Sequence, residues 1–101
     1  TDISTAGQVY IVSPVAAEVV SVSSVINTAI TTADATLTVK TAAGTVGTIT
    51  VAYSGSAPGD VDTLAASSNT AVAAGATVEI ETDGGSSTAS VAQITVLMRR
   101  T

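Results

Sequence analysis

The chain has 101 residues, of which 46% are hydrophobic and 11% charged, and its formal net charge of −5 includes only three basic side chains. This length fits one domain, and the scarcity of lysine and arginine argues against nucleic acids and anionic membranes as partners, because basic side chains supply most of the attraction to both. Histidine and cysteine are absent, which excludes disulfides and cysteine chemistry and removes the usual base of a serine nucleophile.

The apolar residues are mostly small. Alanine and valine dominate, with two tyrosines and no phenylalanine or tryptophan, and a chain of this size buries only about 60–70% of its unfolded surface. The charged fraction is also well below the average of about 25%. We therefore expect this surface to be covered by association, with a monomer coated in serine and threonine as the alternative.

Alternation of apolar and polar residues predicts β-strands along nearly the whole chain. The strands expected in the first half are residues 8–13, 17–26, 35–41 and 48–53. Pro14 ends the first of them because proline has no backbone N–H to donate. The last two strands predict a hairpin with its turn at 42–47, and Leu37 and Val39 should face the core.

Residues 17–26 are partly apolar on both faces. Period-two alternation places Val20, Val22 and Ile26 on one face and Val19 and Val25 on the other. This pattern indicates a strand that is covered on both sides or that lies at a subunit contact.

The second half of the chain shows the same alternation of apolar and polar residues. It follows a loop at 54–60 that is rich in glycine, serine and proline. The strands expected there are residues 61–65, 70–72, 77–82 and 90–98, the last with Ile94, Val96 and Met98 inward. A helix over the alanine-rich stretch 64–76 is disfavoured because Gly75 and a polar cluster interrupt it. About seven or eight short strands predict an all-β fold, an antiparallel β-sandwich resembling a jelly roll. The single domain should span 8–101, preceded by a flexible N-terminal arm at 1–7.

Three carboxylates occupy alternate positions near the end of the predicted strand 77–82. Glu79, Glu81 and Asp83 should project from one side of a sheet, with Val78 and Ile80 on the other. Two of them could meet the spacing of about 5–10 Å that glycosidases use. No neighbouring aromatic residue could stack on a sugar, so we interpret the row as the solvated face of a strand, or as an interface partner for Arg99 or Arg100.

Other candidate sites carry weaker signals. Asp60 and Asp62 could offer two oxygens to Ca²⁺, but the glycine and glutamate of a calcium loop are missing at the required offsets. We expect no resident metal or cofactor and no catalytic residues. Tyr10 and Tyr53 are expected in the core or at a subunit contact, with a functional surface as the alternative.

The stretches TTADATLTVK, GTITVAYSGSAPGDVD, NTAVAAGATVEIETDGG and AQITVLMR together resemble the small decoration proteins of tailed double-stranded-DNA phages, also called cement or head-stabilising proteins. The resemblance covers roughly Val19 to Arg99. It implies a non-enzymatic β-sandwich, often trimeric, that sits on the outer surface of the virion and clamps neighbouring major capsid subunits. The family has no catalytic motif to transfer.

Under this interpretation the arm at 1–7 is a candidate capsid contact. The candidate interface residues are Val19, Val25, Tyr10, Arg99 and Arg100. The alternative function is a glycan-binding or cell-surface-binding module of a phage fibre, spike or adhesin, built from Asn, Asp and Tyr side chains, with Asp60 and Asp62 as candidate Ca²⁺ ligands.

Overall fold

The computed structural model describes residues 1–86 and 88–101, and in this part of the chain it contains β-strands and no helix. None of the described residues therefore forms a helix long and apolar enough to cross a membrane. The strands are β1 (Ala6–Val12), β2 (Ala17–Ile26), β3 (Ala35–Thr41), β4 (Gly44–Val51), β5 (Val61–Ala65), β6 (Ala71–Val72), β7 (Thr77–Asp83) and β8 (Ala92–Arg100).

The strands form two antiparallel sheets. The first has the order β1-β7-β3-β4, and in the second β2 pairs with β5 and β6 and also with β8. The two short strands β5 and β6 pair with different parts of β2, so they follow one another along the same edge. The predicted all-β sandwich is confirmed; its jelly-roll character stays a prediction.

The core lies between the two sheets and consists of small and branched aliphatic side chains. Leu37, Val39, Val78 and Ile80 are completely buried, as their alternation predicted. Tyr53 is not in the core: β4 ends at Val51, so this ring follows the strand and is half-exposed.

A bulge in β2 changes the predicted faces of residues 17–26. The pairing with β8 shifts register between Val19 and Ser21, so that the extra residue, Val20, points to solvent. Val19 and Val22 consequently both face the core, with exposures of 2% and 0%. The prediction that Val20 shares a face with Val22 and Ile26, and Val19 a face with Val25, was wrong because a bulge depends on the partner strand.

The N-terminal residues lie within the sandwich. Ile3 is completely buried in the core, and its N–H donates to the carbonyl of Ser90 at 2.9 Å. The N–H of Ala92 donates to the carbonyl of Thr1, and Ala6 already begins β1. The arm expected at 1–7 is therefore corrected to a packed segment, which one apolar residue anchors against the core.

The hairpin between β3 and β4 is tighter than the sequence indicated. Thr41 pairs directly with Gly44, whose φ is +136°, so only Ala42 and Ala43 form the turn. A register shift at Val39 and Lys40 absorbs an extra residue in β4. The strand predicted from 48 therefore begins at Gly44.

Candidate functional surfaces

The acidic row lies on the outer face of the first sheet, as the sequence predicted. Strand β7 runs between β1 and β3, and Glu79, Glu81 and Asp83 project outward while Val78 and Ile80 are buried on the opposite side. Antiparallel register places Tyr10 and Lys40 on either side of Glu79. We call this the acidic face, defined by Tyr10, Lys40 and the three carboxylates.

Each carboxylate of the acidic face has a partner within the chain. Lys40 Nζ donates to Glu81 Oε2 at 3.0 Å, and the Tyr10 hydroxyl donates to Glu79 Oε1 at 3.2 Å. Asp83 Oδ1 accepts from the backbone N–H groups of Thr36 and Gly85 at 3.0 and 2.9 Å. Glu81 is thus the carboxylate with a charged partner, whereas Glu79 and Asp83 accept hydrogen bonds from uncharged groups.

The pKa shifts follow this pattern of partners. The negative charge of Glu79, and then its hydrogen bond, raise the pKa of the Tyr10 phenol. The hydrogen bond to Glu81, followed by its charge, raises the pKa of the Lys40 ammonium. Desolvation, the largest influence on Asp83, opposes ionisation, but backbone donation led by Thr36 and Gly85 lowers its pKa overall. Asp83 is therefore ionised at neutral pH, whereas the proton donor of a glycosidase needs a raised pKa.

A groove opens beside the acidic face. It has a volume of about 410 Å³, and its walls include Tyr10, Lys40, Glu79 and Ala76. The ring of Tyr10 is 60% exposed, so this tyrosine is a surface residue and does not pack in the core. The volume is in the range of small-molecule sites, although the groove is open to solvent.

The outer face of the second sheet has a different character. Its outward side chains are Val61, Thr63 and Ala65 of β5, Ser21, Ser23 and Val25 of β2, and Gln93, Thr95 and Leu97 of β8. None of them is charged, and Val61 and Leu97 are 64% and 56% exposed. At one end lies an ion pair in which Arg99 Nε donates to Glu18 Oε1 at 2.7 Å. We call the nine outward side chains of β5, β2 and β8 the uncharged face; Arg99 and Glu18 are not part of it.

The five candidate interface residues occupy different places. Val19 is buried in the core, so its assignment to an interface was wrong. Val25 lies on the uncharged face and Tyr10 on the acidic face. Arg99 is bound to Glu18 and not to the acidic row, whereas Arg100 is exposed at the end of β8.

The possible calcium ligands do not form a larger cluster. Asp60 Oδ2 accepts from the backbone N–H of Ala57 at 2.9 Å, which fixes the end of the loop before β5. Burial, followed by the charge of Asp60, raises the pKa of Asp62. Within residues 1–86 and 88–101, no three or more His, Cys, Asp or Glu side chains are grouped as metal ligands would be.

Comparison with known proteins supplies no relative: no family model, curated protein or solved structure matches this chain.

Proposed function

We propose that this protein is a non-enzymatic structural protein that binds the outer surface of a tailed-phage capsid. In this role it clamps neighbouring major capsid subunits and acts as a homo-oligomer, with a trimer as the expected state. The observation that carries the proposal is the uncharged face, where Val61, Val25 and Leu97 lie among hydroxyl and amide side chains. A face without charge loses little hydration energy when another protein covers it.

Such a role needs binding but no chemistry. A protein that binds only the assembled shell stabilises it by RT ln(1 + [L]/Kd) at each site, so many copies with modest affinity stabilise the whole particle. The acidic face fits the same role, because its carboxylates keep the other side of the bound molecule hydrated and soluble.

The test is light scattering of the purified protein, with and without purified empty capsids of tailed phages, followed by co-sedimentation. Val25→Glu places a carboxylate on the middle strand of the uncharged face, between Val61 and Gln93. We expect this variant to dissociate the oligomer and to lower capsid occupancy at least about tenfold, because burying an unpaired charge is costly.

Thr48→Glu is the matched control, since Thr48 is exposed on a strand of the first sheet. This variant should keep the wild-type mass and occupancy. A wild-type protein that is monomeric and fails to sediment with capsids would refute the proposal, as would unchanged binding by Val25→Glu.

A second candidate function, glycan binding, is favoured by the groove beside the acidic face. Its exposed Tyr10 ring could pack against a sugar, and Lys40, Thr41 and Glu79 supply hydrogen-bonding groups. Glycan-array binding that Tyr10→Ala abolishes would support this function. Loss of binding with a chelator would add Ca²⁺ at Asp60 and Asp62, and an array without any hit would exclude the function for the glycans tested.

A further inference from the structure

The groove beside the acidic face is lined by groups of different chemical character. Tyr10, whose ring is 60% exposed, lines it from β1, and Lys40 lines it from β3. Glu79 lies between them, because antiparallel register places it opposite Tyr10 on one side and opposite Lys40 on the other. The other lining residues are small: Thr41, Ala42, Gly75, Ala76 and Thr77. A ligand in this groove of about 410 Å³ therefore meets an aromatic ring, a carboxylate and small side chains.

The charges around the groove do not cancel. Lys40 Nζ donates to Glu81 Oε2 at 3.0 Å, so this ammonium already has a carboxylate as its partner. Glu79 Oε1 accepts only from the uncharged Tyr10 hydroxyl, at 3.2 Å, and no basic side chain in the described part of the chain forms an ion pair with it. One negative charge is therefore left without compensation at the groove.

The Tyr10 phenol responds to this excess of negative charge. The charge of Glu79 is the largest influence that raises the pKa of Tyr10, and the charge of Glu81 raises it further, whereas the opposing influence of Lys40 is weaker than either. A nearby negative charge raises the pKa of a phenol because it disfavours the phenolate. The same field that disfavours an anion on Tyr10 favours a cation in the groove.

The lining also indicates which kind of cation fits. A metal ion such as Ca²⁺ needs six to eight oxygen ligands, and the described residues contain no group of three or more metal-binding side chains. A primary ammonium needs an acceptor for each N–H, and one oxygen of Glu79 is already bonded to Tyr10. A quaternary ammonium needs no acceptor, and its methyl groups pack favourably against an aromatic ring.

From these observations we infer that the groove binds a small molecule that carries a quaternary ammonium group. The methyl groups pack against the Tyr10 ring and the small side chains of Ala42 and Ala76, and the positive charge lies beside Glu79. Both the ring and the carboxylate attract such a group without a hydrogen bond. Because a single ring contributes, we expect a dissociation constant on the order of millimolar.

The inference does not rest on the proposed capsid function, because the groove belongs to the first sheet and the uncharged face to the second. Val25→Glu should therefore leave ligand binding intact. The inference also differs from the binding of neutral glycans in the same groove, since it requires a positive charge on the ligand. If neutral sugars bind and quaternary ammonium compounds do not, this inference is refuted and glycan binding is supported.

The probe is choline, and its control is 3,3-dimethyl-1-butanol, in which a carbon atom replaces the charged nitrogen. Each is titrated into the protein at constant ionic strength and followed by NMR. We expect choline to shift the ring signals of Tyr10, to show contacts between its methyl protons and this ring, and to bind at least about fivefold more tightly than the alcohol. Tyr53 is half-exposed but does not line the groove, so its ring should show neither effect.

Three variants test the contribution of charge. Glu79→Gln keeps the shape of the side chain and should weaken choline about threefold or more, while binding of the neutral alcohol stays unchanged. Glu18→Gln is the matched control, because it removes one carboxylate from β2 of the second sheet and should bind choline normally. Lys40→Gln removes the positive charge at the groove and should tighten choline binding about twofold or more.

Two variants separate the ring of Tyr10 from its hydroxyl. Tyr10→Leu keeps an apolar side chain without an aromatic ring and should weaken choline about threefold or more. Tyr10→Phe keeps the ring and frees Glu79 from its hydrogen bond, so it should bind choline at least as tightly as the wild type. Both variants should fold, because this side chain is exposed on an edge strand.

Three results would overturn the inference. The first is equal affinity for choline and the neutral alcohol, and the second is unchanged choline binding by Glu79→Gln. The third is the absence of any shift of the Tyr10 ring signals up to about 0.1 M choline, which lies far above the expected dissociation constant.

Discussion

The two lateral sides of this sandwich are lined by similar apolar residues but are packed differently. On the side formed by β4 and β5, one leucine lies over a glycine: a Cβ added to Gly47 would stand 2.8 Å from Leu64 Cδ1. The other side, which we call the open side, has β1 and β8 as its edge strands, and Val96 and Met98 of β8 pack there against the core while staying partly exposed, as Leu64 does. The close contact of Leu64 with Gly47 is therefore what distinguishes the side formed by β4 and β5.

The largest expected effect is on the closed side. Leu64→Ala should lower the free energy of unfolding by about 2 kcal/mol, because it leaves a gap over Gly47 that the backbone cannot fill. Met98→Ala on the open side should cost only about 1 kcal/mol, since water can enter the space that it leaves. Urea denaturation of both variants compares the two sides directly. An equal or larger loss for Met98→Ala would mean that the open side is packed like the closed one.

A second variant tests the contact itself. Gly47→Ala should destabilise the protein by about 1–2 kcal/mol, because the new methyl group forces Leu64 to move. In the Leu64→Ala background the same change should cost much less, so the double-mutant cycle should show coupling. Additive losses would indicate that Gly47 is required for its backbone and not for space beneath Leu64.

Ser24 lies in β2 between the two sides, with Asp62 of β5 opposite it on one side and Ile94 of β8 on the other. Its hydroxyl is buried and has no hydrogen-bond partner among the described residues. Ser24→Ala should therefore raise the free energy of unfolding by up to about 1 kcal/mol. Ser23→Ala is the control, because Ser23 Oγ is 3.0 Å from Thr63 Oγ1 on the uncharged face, and it should be neutral or slightly destabilising.

Local patterns predicted much of this architecture. Period-two alternation located the strands, the inward positions of Leu37 and Val39, and the outward row of Glu79, Glu81 and Asp83. These features depend only on residues close in sequence, because a strand alternates whatever its partner is.

Other features depend on distant pairing and could not be predicted in this way. The bulge at Val20 arises from the register of β2 on β8, and the anchoring of Ile3 requires the core that later strands supply. The open side exists because β1 and β8 become edges, which only the strand order of the two sheets determines. The sequence did mark Ile3 as an apolar residue in a polar segment, and this signal would have argued against a free arm.

The smallest expected effect concerns pH and the segment that covers the start of the β8 edge. Hydrogen bonds from the Ser4 hydroxyl, at 2.7 Å, and from the Ser4 N–H, at 2.9 Å, lower the pKa of Asp2. A carboxyl whose pKa is lower in the folded state stabilises the fold above its unfolded pKa of about 3.9, and this contribution disappears as the pH falls through the folded value. Acid should therefore loosen residues 1–3 from β8 before it affects the rest of the sandwich.

Hydrogen exchange at the amides of Ile3 and Ala92, corrected for intrinsic rates, measures this loosening directly. Protection should decrease between neutral pH and about pH 3, while the amides of Leu37 and Ile80 in the first sheet stay protected. In Asp2→Ala, protection at Ile3 and Ala92 should already be reduced at neutral pH, with no further loss specific to this carboxyl in acid. If the wild-type and Asp2→Ala proteins show the same protection at all pH values, burial of Ile3, and not the Asp2 carboxylate, holds the segment against β8.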